Sequence, residues 1–242
     1  MINITKPFYK TWWGAGLAVI LTAILIFITA IGFYFFASVK KSKLEISQTG
    51  LKLSGQQYSA ADGDHYWLSA DKAKITIVEF GDFACSDCGN AFYTIREISL
   101  KYKDDVKLIW RDYPAQICSD ILTLAGRCTG EQGLFWPMHD KLFQNQTAII
   151  SLINPNENQC SNDDKIKITE QLLILANQIG VDTARFNDCL TKQKYLPQIQ
   201  KDLADGQTFG ITGTPTYFIN GYKIAGDIPY DVFIKIIEEL KK

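Results

Sequence analysis

Cys85-Ser86-Asp87-Cys88 sets two thiols three positions apart, just after the strand-like run Ile75-Thr76-Ile77-Val78-Glu79-Phe80 and at the start of a helical pattern. Thiols at that spacing can close a small disulfide ring. A helix N-terminus offers free N–H groups and partial positive charge, which stabilise a thiolate at the first cysteine. The thiolate is the species that attacks and leaves in disulfide exchange, so the placement suits reversible redox chemistry. Zinc sites use the same spacing, and the pair alone leaves that alternative open. Zinc would need two more ligands. The two histidines, His65 and His139, and the remaining cysteines offer no suitable local spacing. No metal and no cofactor is expected.

Glu79 is a second candidate. It lies among apolar residues on the strand, six residues before Cys85. A buried, unpaired carboxyl has a raised pKa and can accept a proton near neutrality; the alternative is a surface position at the strand end.

The elements that must carry these groups follow from periodicity. Ile75–Phe80 is mostly apolar and β-branched, a buried strand. A helix is predicted from about Cys85 to Lys103, with Ala91, Ile95, Ile98 and Tyr102 at helical spacing and Phe92 widening that face. Val106–Trp110 reads as a second strand, ending before Pro114, which makes a βαβ unit with parallel strands. From about 116 to 208 the pattern is helical. Helices are expected from Asp120 towards Glu131, over Phe135–Gln144 with Pro137 in the first turn, and from Asp163–Asp164 to Gln178 with Gly180 as the stop. Two more run from an Asp182 cap through Leu190, and from Pro197 to just before Gly210. Strands return at Thr216–Ile219 and Tyr222–Gly226, joined by the hairpin signal Asn220-Gly221. A last helix is predicted over Tyr230–Leu240. The order βαβ, helical block, ββα describes an α/β domain (71–115 and 209–242) with a helical domain (116–208) inserted between its halves.

Upstream, no charged residue occurs from Thr11 to Val39. At about 1.5 Å per residue that run exceeds the roughly 30 Å hydrocarbon core, and it is longer than the core of a cleaved signal peptide. Ala37-Ser38-Val39 is a poor cleavage site. The expectation is an uncleaved transmembrane signal anchor over 12–39, a short cytoplasmic N-terminus (1–11) and a polar linker (40–70) with a short strand near Leu51 and Leu53. Lysines flank both ends of the run, so charge does not orient it. All six cysteines follow the run, which points to an oxidising compartment and puts the C-terminal domain in the periplasm or at the cell exterior. The net charge of −1, with mixed signs, gives no electrostatic footprint for nucleic acid. With Cys85 and Cys88 set aside, Cys118, Cys128, Cys160 and Cys189 allow three pairings. Cys128–Cys189, with Cys118 near Cys160, is the favoured one, and buried free thiols are the alternative.

Strand, Cys85-x-x-Cys88, helix, strand, then Gly213-Thr214-Pro215 before a hairpin and final helix resembles the thioredoxin fold. The helical insertion, including Gly130-Glu131-Gln132-Gly133-Leu134-Phe135-Trp136, resembles that of the DsbA-like thiol:disulfide oxidoreductases. The likeness covers about residues 64–242. It implies that Cys85 is the exposed attacking thiol and Cys88 the buried resolving thiol. It further implies that Thr214-Pro215 is a cis-proline peptide against the disulfide, and that Glu79 relays a proton to the resolving cysteine. The implied activity is introduction of disulfides into reduced or unfolded secreted and envelope proteins, with reoxidation by a membrane-embedded thiol oxidase. The sequence departs from the strongest oxidases of that family, which have Pro-His between the cysteines. Ser86-Asp87 brings a carboxylate instead, which either raises the thiol pKa or only stabilises the helix start. Thr214 is more typical of isomerase-like members. A reductase or isomerase on the same scaffold is therefore the alternative direction. A non-catalytic metal- or partner-binding thiol module is a second class. Phe83, Trp136 and Tyr217 are candidates for apolar surface near the thiols or for ordinary core, and His139 for a packed position.

Overall fold

A computed structural model describes residues 20–31, the backbone of 65–66, and 73–242. The chain divides into two units, Met1–Leu53 and Ser54–Lys242. In the first, residues 20–31 form a helix (α1) whose Ile, Leu and Phe side chains are exposed. Among the described residues no helix is long and apolar enough to cross a membrane. The rest of the predicted anchor, 12–39, and the expected strand near Leu51 and Leu53 lie outside them.

The second unit is built on a five-stranded mixed sheet in the order β1-β3-β2-β4-β5. The strands are β1 (His65–Tyr66), β2 (Ile75–Gly81), β3 (Val106–Asp112), β4 (Thr216–Ile219) and β5 (Tyr222–Ala225). β2 and β3 are parallel, with Glu79 beside Trp110, and β4 runs antiparallel to β2, with Tyr217 beside Glu79. Their side chains therefore share one face of the sheet. β2, β3 and β4 are buried nearly throughout, which explains their almost continuous apolar runs. β1 falls inside the stretch expected to be a polar linker. It pairs antiparallel with β3 at the sheet edge.

Helices α2 (Ser86–Lys101) and α9 (Tyr230–Leu240) pack together. Between β3 and β4 come α3 (Ser119–Gly130), α4 (Phe135–Gln144), α5 (Gln146–Ile150), α6 (Asn162–Gln178), α7 (Thr183–Thr191) and α8 (Leu196–Thr208). α3 is the hub of this insertion and touches α4, α6, α7 and α8. Asp182 caps α7 as expected, accepting from the N–H groups of Ala184 and Arg185. The insertion does not have a core of its own. One buried cluster runs from Leu122, Met138, Leu172 and Phe186 in the insertion to Trp110 on the sheet and to Cys85 and Cys88. The opposite face of the sheet packs Val78, Phe80, Ile109 and Phe218 against Leu203 and Phe209.

β3 ends two residues later than the apolar pattern predicted. Arg111 and Asp112 continue the strand and are fully buried. Charged residues tolerate that only when paired. Arg111 donates to Asp202 Oδ1 from Nε (3.0 Å) and to Asp205 Oδ2 from Nη2 (2.8 Å). Arg127 of α3 donates to Asp112 Oδ2 at 2.5 Å and also to Asp202. This network ties α3 and α8 to the sheet, and Trp110 Nε1 joins it by donating to Asp112 Oδ1 at 2.8 Å.

Both remaining cysteine pairs are disulfides, Cys118–Cys160 (Cα–Cα 5.0 Å) and Cys128–Cys189 (5.8 Å). This is the favoured pairing, and the free-thiol alternative falls.

Candidate redox site

Cys85 is the N-cap residue of α2, so the helix begins at Ser86, one residue later than predicted. β2 delivers the chain to this point, and Gly81 is required at its end. A Cβ there would lie 2.2 Å from the Trp110 ring, which fills the space below the loop. The loop is then fastened by Asp82, which is buried. Its Oδ1 accepts from Ala84 N (2.8 Å), its Oδ2 from Ala115 N (2.7 Å) and Gln116 N (2.9 Å), and its main-chain oxygen from Cys85 N (3.1 Å). Burial raises the Asp82 pKa, against the pull of these donors. A second clamp comes from α5. Gln146 Nε2 donates to Phe83 O (3.0 Å) and to Cys85 O (2.8 Å).

Cys85 and Cys88 are both free thiols here. Cys88 is wholly buried. Cys85, expected to be exposed, keeps only 9% of its surface. The Thr214-Pro215 peptide is cis, and Thr214 O accepts from Cys85 Sγ at 3.2 Å.

The two thiols differ sharply in acidity. Cys85 is lowered to about 6, first by a hydrogen bond with the Cys88 thiol, then by the Thr214 side chain and the backbone N–H groups of Cys88 and Asp87, with burial working the other way. Cys88 is pushed well above the ordinary thiol value, first by burial, then by its bond to Cys85 and by the nearby Glu79 charge. Asp87 has two readings from the sequence, a carboxylate that hinders the thiolate or one that only stabilises the helix start. Its carboxylate is exposed, and its backbone N–H favours the thiolate.

Glu79 is buried at 2% exposure, and burial raises its pKa to about 8. Tyr217 donates to it at 3.4 Å, a bond that lowers the value slightly. At that value the carboxyl keeps its proton at neutral pH, and its charge, when formed, raises the pKa of Cys88.

Phe83 and Tyr217 are buried core, not substrate surface, and Trp136 is partly buried. Phe83 stacks on Trp110 at 4.9 Å. His139 is buried among Phe83, Phe92, Trp110, Trp136 and Phe143, and burial lowers its pKa, so it packs as a neutral ring. The side chain of His65 lies outside the described residues. Among those residues, no three His, Cys, Asp or Glu side chains gather where a metal ion could be held. Asp82, Gln146 and the Arg111/Asp112/Arg127/Asp202 network were not found from the sequence. Asp82, two residues past the strand and before Cys85, carried a usable signal as a turn-forming acid. Gln146 carried none.

A family model described as thioredoxin matches residues 62–239. The Na(+)/H(+) antiporter NhaA 3 of Salinispora tropica is 30% identical over 178 residues, 71% of this chain and 23% of the antiporter. NhaA of Herminiimonas arsenicoxydans is 25% identical over 172 residues, again 71% of this chain and 25% of the antiporter. The chain thus spans about a quarter of the length of these curated relatives. Among solved structures, oxidised BdbD from Bacillus subtilis is 27% identical, with a TM-score of 0.61 over 78% of this chain and 98% of that one. The thiol-disulfide exchange protein alpha-DsbA2 from Wolbachia pipientis has the same fold at 20% identity, with a TM-score of 0.59 over 84% of this chain and 98% of that one.

Proposed function

The chain belongs to the thioredoxin family and has the architecture of its DsbA-like thiol:disulfide oxidoreductases, and from that premise we propose that it donates the Cys85–Cys88 disulfide to reduced secreted or envelope proteins outside the cytoplasm. The observation that carries this reading is the inequality of the two thiols: Cys85 at a helix N-cap with its pKa lowered to about 6, Cys88 buried behind it with its pKa raised.

The chemistry follows from that inequality. A substrate thiolate attacks Cys85 Sγ of the oxidised pair; the new substrate–Cys85 bond forms as the Cys85–Cys88 bond breaks. The electron pair leaves on Cys88, whose high pKa demands a proton, and protonated Glu79 supplies it. A second substrate thiolate then attacks the substrate sulfur of the mixed disulfide. Cys85 leaves as the better thiolate, and two electrons have passed from substrate to enzyme. Thr214, whose carbonyl lies 3.2 Å from Cys85 Sγ, puts a main-chain pairing edge next to the sulfur. Pairing of that kind reads backbone and not sequence, which suits many extended substrates.

Two disulfides elsewhere in the chain support an oxidising compartment. The uncharged run from Thr11 to Val39 supports a membrane signal anchor, with the catalytic unit in the periplasm or at the cell exterior. A membrane-embedded thiol oxidase is the partner that would return the pair to the disulfide.

The test is the reduction potential of the purified protein in glutathione buffers. A value approaching that of DsbA, about −120 mV, supports donation of disulfides. A value near that of thioredoxin, about −270 mV, assigns the scaffold to reduction.

A further inference from the structure

We propose that Gln146, at the start of α5, is a positioning residue for Cys85: it holds the nucleophile's own peptide through donated hydrogen bonds and so couples the helical insertion to disulfide exchange. The inference rests on the thiol:disulfide reading of Cys85.

Both bonds leave one atom. Nε2 meets Phe83 O at 3.0 Å and Cys85 O at 2.8 Å. Two carbonyl acceptors can be satisfied only by the NH2 end of the amide, so the orientation of the side chain is fixed by its partners. From the other side, Asp82 accepts from Ala84 N at 2.8 Å and from Cys85 N at 3.1 Å. Ala84 N is thus held by the Asp82 carboxylate and Cys85 N by the Asp82 main-chain oxygen, while Phe83 O and Cys85 O are held by an amide from the insertion.

Cys85 O is also the acceptor of the first helical bond of α2, from Gly89 N at 3.1 Å. A second donor on that oxygen fixes the plane of the Cys85–Ser86 peptide. It also neutralises a negative dipole end in the residue whose sulfur must carry charge. The backbone N–H groups of Asp87 and Cys88, which favour the thiolate, belong to the same turn.

Gly89 gives an independent indication. A Cβ at that position would come within 2.2 Å of Gln146 Oε1. Glycine is a poor helix former, yet here it leaves the room in which the amide sits. The two positions are thus sterically linked across α2 and α5.

Gln146→Ala, Gly89→Ala and the double variant test this in the full chain. The readouts are the Cys85 thiol pKa, by alkylation against pH, and the reduction potential. With either single substitution the account expects the Cys85 pKa to rise by about one unit. That is a tenfold loss in the thiol–thiolate equilibrium, and the disulfide becomes less oxidising by about 30 mV. The double variant shifts no further than either single one, because each removes the same pair of bonds. Gly89→Ala displaces the amide while Gln146 remains, so it carries the test if Gln146→Ala fails to fold. A lowered melting temperature with unchanged pKa and potential in the single variants would overturn the proposal and leave Gln146 a purely structural contact. The thiol pKa is measurable whether or not the parent exchanges disulfides, which separates this failure from failure of the exchange reading.

Discussion

The Tyr217 hydroxyl donates to Glu79 Oε1 at 3.4 Å, and the Glu79 charge in turn raises the pKa of Cys88. Three titratable groups, each buried, thus form a short chain ending at the sulfur that must gain or lose a proton. Glu79→Gln keeps the shape and removes the proton store. Disulfide exchange with a reduced substrate is expected to slow by about 10²-fold, with little change in the Cys85 alkylation rate. Equal slowing of alkylation would place the defect at Cys85 instead.

The same carboxyl sets a stability trend. Its pKa is 4.5 in a solvated chain and about 8 when folded. Between those values the folded state holds a proton that the unfolded state has released. The contribution is therefore fully present below about pH 4.5 and is lost as pH rises through about 8. Glu79→Gln has no proton to lose. It should be more stable than the parent above pH 8, by as much as ~5 kcal/mol, and the advantage should shrink towards pH 4.5. Melting curves of both proteins across this range check the sign.

Asp87 lies exposed on the first turn of α2. Asp87→His replaces a carboxylate near the incipient Cys85 thiolate with a group that can carry positive charge. The reduction potential should become more oxidising. An unchanged or lower potential would contradict the electrostatic reading of this turn.

Asp202 accepts from both Arg111 and Arg127 in a fully buried setting. Asp202→Ala leaves two guanidinium groups short of a partner, at a cost of about 3–5 kcal/mol. Chemical denaturation measures it. A loss below about 1 kcal/mol would mean that the network does not tie the insertion to the sheet.

This network also marks where the sequence stopped being readable. Ile75–Phe80, the Cys85–Cys88 pair and the Asn220-Gly221 hairpin carried local signals, and Asn220 and Gly221 do adopt positive φ of 47° and 86°. Arg111 and Asp112 broke the apolar pattern and read as the end of a strand. They are buried strand residues because their partners arrive from α3 and α8, up to 94 residues away. No local rule encodes a contact at that distance. α5, with five residues, is too short for any periodicity, so Gln146 could not be seen as a site residue. Ser161 and Asp164 form a capping box around the helix start that the sequence pattern predicts at Asp163–Asp164.

Cys118–Cys160 spans 42 residues and fixes the N-cap of α3, close to the loop that Asp82 holds. Replacing both cysteines with alanine should cost about 2–4 kcal/mol while Cys85 and Cys88 continue to exchange. Denaturation measures the first, and reduction of an insulin-type disulfide substrate the second.

The central claim is that one sulfur is held as a thiolate and its neighbour as a thiol, and rates of alkylation at each cysteine against pH test it most directly. The reduced protein is treated with iodoacetamide between about pH 4 and pH 9 and analysed by mass spectrometry. Cys85 should titrate with a midpoint near 6, and Cys88 should stay unmodified throughout. A Cys85 midpoint at the ordinary thiol value of about 8.5, or modification of Cys88 at the same rate as Cys85, would contradict the account.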